Sequence, residues 1–210
     1  MLLKRILFIV IAFLIPSSTF CQGSLLKRGA SGIGFQAGLA GSSEVNTLSG
    51  AAILTFGGIV DIGGGVVSAS HKGKIRSVNQ TYFVFITELY VFREDNPRIP
   101  FTLSLFGDYS MMDETKFGTF GITFYKRGVI SKTSFIQPFV TIFKTWSSDV
   151  HAPGGFGFGF SIASTKNHSR IFHLTPSFAI AEGSNAFALS IGYTFGPTGY
   201  NRNGPPYFDF

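Results

Sequence analysis

The stretch Phe187-Ala188-Leu189-Ser190-Ile191-Gly192-Tyr193-Thr194-Phe195 places an aromatic or aliphatic residue at every second position, with small or polar residues between them. Because successive side chains on a β-strand point to opposite faces, this pattern predicts a strand with one apolar face. The same alternation returns in strand after strand, and no second layer is evident that could cover the apolar faces. The repeated aromatics therefore indicate that lipid is the solvent outside the sheet.

The first residues have the layout of a secretory signal peptide. Lys4 and Arg5 precede an apolar run over 6–15, and Pro16 and small polar residues follow it. Ten apolar residues would rise only about 15 Å as a helix, half of a hydrocarbon core about 30 Å thick. We therefore predict that residues 1–21 are removed by cleavage near Cys21-Gln22, and lipidation of Cys21 is the alternative.

Composition restricts the fold of the remaining chain. The 210 residues include 26 Gly and 25 Phe, and only 13% are charged. No apolar stretch reaches the roughly 20 residues of a transmembrane helix, so a membrane protein of this composition must be a closed β-barrel. The sole cysteine, Cys21, predicts no disulfide. Removing Lys4 and Arg5 leaves 15 of the 17 basic residues against 11 acidic ones, a net charge of +4.

Period-two alternation marks about ten segments of the length that a tilted membrane strand needs. The sequence therefore predicts an all-β fold, a closed antiparallel transmembrane β-barrel of about 10 strands (range 8–12) over 22–195, followed by a Gly/Pro-rich tail at 196–210. An even number of strands would place both termini in the periplasm. The segments lie near 31–40, 47–56, 58–70, 79–92, 99–110, 116–127, 131–146, 153–164, 170–181 and 185–195.

Alternation also assigns the faces of individual strands. A charge on the lipid face would cost a few kcal/mol, so charged residues within strands are predicted to face the lumen. Glycines at 157 and 159 are predicted to face inward, where they leave space for neighbouring side chains. The predicted lipid-facing set includes Phe101, Leu103, Leu105, Tyr109, Phe120, Ile122 and Phe124. The predicted lumenal polar network consists of Gln36, Asp61, Glu88, Asp108, Tyr125, Arg127, Lys144 and His173.

This pattern resembles the small outer-membrane β-barrel proteins of Gram-negative bacteria, the porin-like families with eight to twelve strands and short loops. The resemblance covers 22–195. Its most specific element is 187–195, since a last strand of alternating aromatics, commonly closing the chain with Phe, resembles the signal read by the barrel-assembly machinery. The chain does end in Phe210, but the Gly-, Pro- and Asn-rich segment 196–206 separates it from the last strand. Such families include structural barrels, narrow channels, lipid-modifying enzymes and accessory subunits, so the fold alone does not choose among them.

One enzyme class among these barrels, the lipid A deacylases, carries a His-x-Ser pair near the C-terminus. The nearest match is His173-Leu174-Thr175, with Ser177 on the same face and Glu182 nearby. A hydrolase needs a nucleophile activated by a base that a third group orients. Thr175 stands at the position of the serine. Alternation places Glu182 on the opposite face of the strand from His173 unless the strand bulges. A lumenal histidine in a polar network is favoured, and no catalytic residue is predicted.

Other polar features predict contacts rather than chemistry. The four histidines lack metal-ligand spacing, the glycine runs lack a following helix, and no aromatic-basic groove is evident, so no metal, cofactor or nucleic acid is expected. Lys72, Lys74 and Arg76 lie between two strands on the predicted outside of the cell, where they could contact lipopolysaccharide or form an ordinary solvated loop.

The aromatic end of the tail predicts one of two roles. Tyr207, Phe208 and Phe210 either supply an assembly signal or dock on a partner or in the barrel mouth.

The function expected from the sequence is that of a non-enzymatic integral barrel in the outer membrane of a Gram-negative bacterium. It would serve as a structural component or as an accessory subunit of a larger envelope complex for secretion, assembly or transport. Its expected partners are outer-membrane lipid, lipopolysaccharide and other envelope proteins. A narrow porin-like channel for small solutes is the alternative hypothesis, and a lipid A-modifying hydrolase is the third.

Overall fold

Long β-strands pair with their neighbours to form the wall of a barrel. The computed structural model describes residues 22–26, 29–42, 45–71, 78–94, 98–112, 115–131, 133–148, 154–166, 170–181 and 184–196. One helical turn, α1 (Gln22–Leu25), precedes the strands. These are β1 (Gly32–Gly41), β2 (Val45–Phe56), β3 (Val60–His71), β4 (Val78–Phe92), β5 (Thr102–Met112), β6 (Thr115–Tyr125), β7 (Gly128–Ser131), β8 (Ser134–Ser147), β9 (Gly154–Lys166), β10 (Arg170–Ala181) and β11 (Ser184–Phe195).

The sheet closes on itself, which confirms the predicted fold. Neighbouring strands follow the order β6-β5-β4-β3-β2-β1-β11-β10-β9-β8, and β6 pairs with β8 to complete the ring of ten antiparallel strands. Successive cross-strand partners can be followed around the barrel from Gln36 of β1 in both directions. They reach β8 at Ser147 in one direction and at Phe135 in the other. The strands are therefore staggered by 147 − 135 = 12 residues around the barrel. For ten strands, such a stagger tilts each strand by roughly 40° from the barrel axis.

The short strand β7 continues the edge of β6 after an interruption. β6 ends opposite Phe139 of β8, and the Lys126 N–H then donates to Pro138 O at 3.0 Å. After Arg127, β7 pairs with the first residues of β8. The sequence predicts strands over 116–127 and 131–146 and no strand between them. Because β8 extends past the end of β6, β7 covers an edge that would otherwise be unpaired.

The outer face of the barrel is apolar and the inner face is mixed, as alternation predicts. On β5 and β6, Leu105, Tyr109, Phe120, Ile122 and Phe124 are exposed, whereas Thr102, Ser104, Phe106 and Asp108 are buried. Aromatic pairs mark both ends of the outer surface. Tyr109 and Trp146 lie 6.0 Å apart near one end, and Phe35 and Phe195 lie 6.4 Å apart near the other. Such girdles are typical of the two membrane interfaces. No helix among the described residues is long and apolar enough to cross a bilayer.

Inward glycines make room for inward aromatic rings, so side chains fill much of the lumen. A Cβ added at Gly159 would lie 2.7 Å from Phe139 Cζ, and one at Gly121 would lie 2.7 Å from Phe106 Cζ. The ring of Phe143 lies over Gly155 in the same way. The predicted role of the inward glycines is thereby confirmed at residue 159. We call the end where β1 begins and β11 ends the terminal mouth, and the opposite end the loop mouth.

Candidate functional site at the terminal mouth

The segment directly after the predicted cleavage point lies inside the terminal mouth. Residues 22–26, which we call the plug, contain α1, and Gly23, Ser24, Leu25 and Leu26 are all buried. Leu25 and Leu26 are only 1% and 2% exposed, and they belong to an apolar cluster with Phe135, Ala163 and Ile171 of the barrel wall. The sequence predicts that the barrel domain starts at residue 22, and it does not predict the plug.

Asp61 of β3 joins the plug to the wall. The Gly23 N–H donates to Asp61 Oδ2 at 2.8 Å, and the Tyr90 hydroxyl donates to the same oxygen at 3.0 Å. Thr55 Oγ1 donates to Asp61 Oδ1 at 2.6 Å. On the opposite wall, Ser24 Oγ donates to Gln137 Oε1 at 3.0 Å. Buried polar groups of the plug thus find hydrogen-bond partners on the barrel wall.

Arg93, just beyond β4, holds the carbonyl groups of the plug. Its guanidinium donates from Nη1 to Gly23 O at 2.8 Å and to Gly58 O, and from Nη2 to Leu26 O. The guanidinium also lies 5.6 Å from the centre of the Tyr90 ring. The last carbonyls of a helix have no partner within the helix, and a basic side chain stabilises them. Arg93 therefore links the plug to the β2–β3 turn.

Arg127 closes the mouth from the other side. Its Nη2 donates to Ser24 O, and its guanidinium stacks 4.7 Å from the centre of the Phe135 ring. The Arg127 N–H donates to both carboxylate oxygens of Glu94, at 2.8 and 3.0 Å, and Lys126 Nζ lies 3.7 Å from Glu94 Oε2. The interruption between β6 and β7 thus turns Arg127 toward the plug.

Two glycines allow the plug to lie close to the barrel wall. A Cβ added at Gly23 would overlap the Tyr90 ring and lie 2.8 Å from Asp61 Oδ1, so this position has no room for a side chain. Gly29, with φ of 87°, donates its N–H to Gly57 O at 2.7 Å, which ties the chain after the plug to the turn before β3. A positive φ of this kind favours glycine.

Asp61 and Glu88 form a buried carboxyl pair beside the plug. They are direct cross-strand partners on the inner faces of β3 and β4. Like charges in this arrangement repel, and here each carboxyl accepts hydrogen bonds from several groups. Glu88 Oε1 accepts from Ser104 Oγ at 2.5 Å and from the Tyr125 hydroxyl at 2.7 Å. Four residues of the predicted lumenal set, Asp61, Glu88, Tyr125 and Arg127, therefore meet at the terminal mouth.

The other predicted lumenal residues lie apart from this cluster. Gln36 and His173 are buried and flank Gly192 in one ladder, and neither Gln36 Oε1 nor the His173 ring nitrogens have a hydrogen-bond partner among the described residues. Asp108 is buried toward the loop mouth, where its Oδ1 accepts from the Thr119 N–H at 3.0 Å. The structure thus divides the predicted network into separate polar sites.

The prediction for Lys144 is wrong. Its side chain is exposed on the outer face together with Ile142 and Trp146, while Phe143 and Thr145 point inward. The inward set of β8 starts at Phe135 and keeps strict alternation, which leaves every even-numbered position outside. Lys144 lies close to the loop mouth, where a long side chain can reach headgroups.

The deacylase-like residues lie in the lumen and not on the lipid face. His173, Thr175 and Ser177 are buried, and Thr175 Oγ1 lies 2.7 Å from Ser161 Oγ. Acyl chains would contact Leu174 on the opposite face of the strand. Within the described ranges, no three His, Cys, Asp or Glu side chains group as metal ligands would. Glu182, Lys72, Lys74, Arg76, Tyr207, Phe208 and Phe210 lie outside the described residues, and the roles expected for them stay predictions.

Known structures share the barrel architecture. An outer membrane channel from Pseudomonas putida F1 is 7% identical in sequence, with a TM-score of 0.49 over 82% of this chain and 97% of that chain. The β-domain of the Bordetella autotransporter BrkA is 9% identical, with a TM-score of 0.46 over 80% and 99% of the two chains. The KdgM porin is 5% identical, with a TM-score of 0.43 over 77% and 99%.

No known protein family and no curated protein matches the sequence. The strand pairing itself establishes the fold. By that pairing, the chain is a closed ten-strand antiparallel β-barrel, and its exposed apolar outer face is typical of barrels that span a membrane.

Proposed function

We propose that this protein is a non-enzymatic integral outer-membrane barrel of a Gram-negative bacterium, with a lumen sealed at the periplasmic side. In this role it acts through its surface, as a structural component or as an accessory subunit of a larger envelope complex. Other envelope proteins, outer-membrane lipid and lipopolysaccharide are its expected partners.

The plug is the observation that carries the proposal. Residues 22–26 occupy the terminal mouth, and Arg93 and Arg127 bind their carbonyl groups from two sides. Behind the plug, aromatic rings lie over inward glycines and occupy the interior. A barrel of ten strands is narrower than the porins of 16 or more strands that leave an aqueous channel. Both features oppose bulk diffusion through the lumen.

A narrow solute path that the plug closes is the second candidate. Several buried polar atoms on the inner wall have no hydrogen-bond partner among the described residues, including Asp108 Oδ2, Tyr82 OH and the ring nitrogens of His173. Because buried polar groups are normally hydrogen-bonded, such atoms favour water or a polar solute beside them.

Conductance in planar bilayers tests the proposal. We expect the full barrel to insert without resolvable current steps, since the plug and the rings obstruct the lumen. A variant that lacks residues 22–26 serves as the comparison. If the plug-free variant conducts and the full barrel does not, the plug closes a path, as the second candidate requires. Stable, open conductance of the full barrel would contradict a sealed lumen.

A further inference from the structure

The outward position of Lys144 raises the question of what its charge contacts. The neighbouring outward residues of β8 are Ile142 and Trp146, both exposed. The ammonium group of Lys144 forms no hydrogen bond or ion pair with a described residue. A charged lysine without a partner that faces hydrocarbon destabilises the barrel, and this destabilisation is smaller near the membrane interface. Lys144 therefore belongs at headgroup level, where an anionic group can bind it.

A second free cation lies on the adjacent strand. Lys116 of β6 is exposed, and its ammonium group likewise has no partner among the described residues. Phe120 is the cross-strand partner of Lys144, so Lys116 lies four residues further along β6 toward the loop mouth. At about 3.4 Å per residue and about 4.8 Å between strands, the two lysines are roughly 14 Å apart.

Trp146 occupies the space between the two lysines. Its indole crosses Gly118, where an added Cβ would lie 2.8 Å from Trp146 Nε1, and its ring lies 6.0 Å from that of Tyr109 on β5. Tryptophan and tyrosine at this height mark the membrane interface. Lys116, Lys144, Trp146 and Tyr109 thus form one surface near the loop mouth, which we call the outer basic patch.

We propose that the outer basic patch binds the phosphorylated headgroup of lipopolysaccharide. Two separated cations suit a headgroup that carries more than one phosphate, and the aromatic rings between them offer a flat apolar surface for its sugars or acyl chains. The loop mouth faces the cell exterior if the termini lie in the periplasm, and lipopolysaccharide forms that outer leaflet. The proposal rests on the outer-membrane location within the proposed function. It does not depend on a sealed lumen.

Titration of the purified, folded barrel in mild detergent with lipopolysaccharide tests this site. We expect Lys116→Gln and Lys144→Gln each to weaken binding about fivefold and the double variant about 25-fold, since each lysine near phosphates contributes a similar attraction. Dephosphorylated lipopolysaccharide should bind the unaltered barrel as weakly as intact lipopolysaccharide binds the double variant. Phosphatidylglycerol should compete poorly.

Arg170→Gln is the matched control. Arg170 is an exposed basic residue on the outward side of β10, but it lies at the terminal mouth. An equal loss of binding in Arg170→Gln, unchanged binding in the double variant, or equal competition by phosphatidylglycerol would each overturn the assignment. Conductance reports on the lumen and lipopolysaccharide binding reports on the outer surface, so failure of one proposal is distinguishable from failure of the other.

Discussion

Replacing Gly23 with alanine is expected to lower the free energy of unfolding by about 3 kcal/mol or more. The added Cβ would overlap the Tyr90 ring, which cannot move freely because its hydroxyl binds Asp61 and its face contacts Arg93. The plug must then shift or leave the mouth. If it leaves, Leu25 and Leu26 become exposed, and burial of each contributes about 1.5–3 kcal/mol. Urea unfolding in detergent micelles, followed by fluorescence of the single tryptophan Trp146, measures the change.

Gly157→Ala is the control for this effect. Gly157 also faces the lumen, but an added Cβ there would lie 3.4 Å from the nearest atom, Phe178 O, which is an ordinary contact. We expect its free energy of unfolding to change by less than about 1 kcal/mol. Equal stability of Gly23→Ala and Gly157→Ala would mean that the plug does not occupy the mouth as described.

Replacing Leu105 with arginine is expected to destabilise the barrel by about 2–4 kcal/mol. Leu105 is exposed on the outward side of β5, between the two interfaces that the Tyr109–Trp146 and Phe35–Phe195 pairs mark. A basic residue at that depth would face hydrocarbon, and the cost is largest near the bilayer midplane. Reversible unfolding from lipid vesicles gives the free energy directly.

Met111→Arg provides a control for depth on the same face of β5. Met111 is exposed near the loop mouth, where a basic residue should cost about 0–1 kcal/mol because it reaches the interface. Similar destabilisation by Leu105→Arg and Met111→Arg would argue against Leu105 lying deeper in the membrane than Met111.

The barrel wall was largely predictable because its physics is local and periodic. Alternation along a strand reports directly on which side chains meet lipid, as residues 101–109 illustrate, and turn-forming residues separate the strands. Lys144 differs from its prediction because it occupies an outward position in the strict alternation of β8, in spite of the cost of an outward charge. Parity was the better guide, since a lysine near a strand end can reach the interface.

The plug was not predictable from the sequence because its contacts are distant along the chain. Gly23 bonds to Asp61, and Arg93 and Arg127 bond back to residues 22–26 over separations of 67 to 103 residues. No periodic signal connects such positions. Two local signs were nevertheless present. Ser24-Leu25-Leu26 departs from alternation ahead of β1. Arg93 and Arg127 each lie just beyond the end of a strand at the same mouth.

The most direct test is whether the plug is shielded within the folded barrel. In a Cys21→Ser background, Ser24→Cys would place the only thiol in the buried plug, and Ser31→Cys would place it at an exposed position just before β1. A membrane-impermeant maleimide added to the folded barrel should label residue 24 at least about tenfold more slowly than residue 31, with equal rates after unfolding. Equally fast labelling of the two positions in the folded barrel would contradict a plugged terminal mouth.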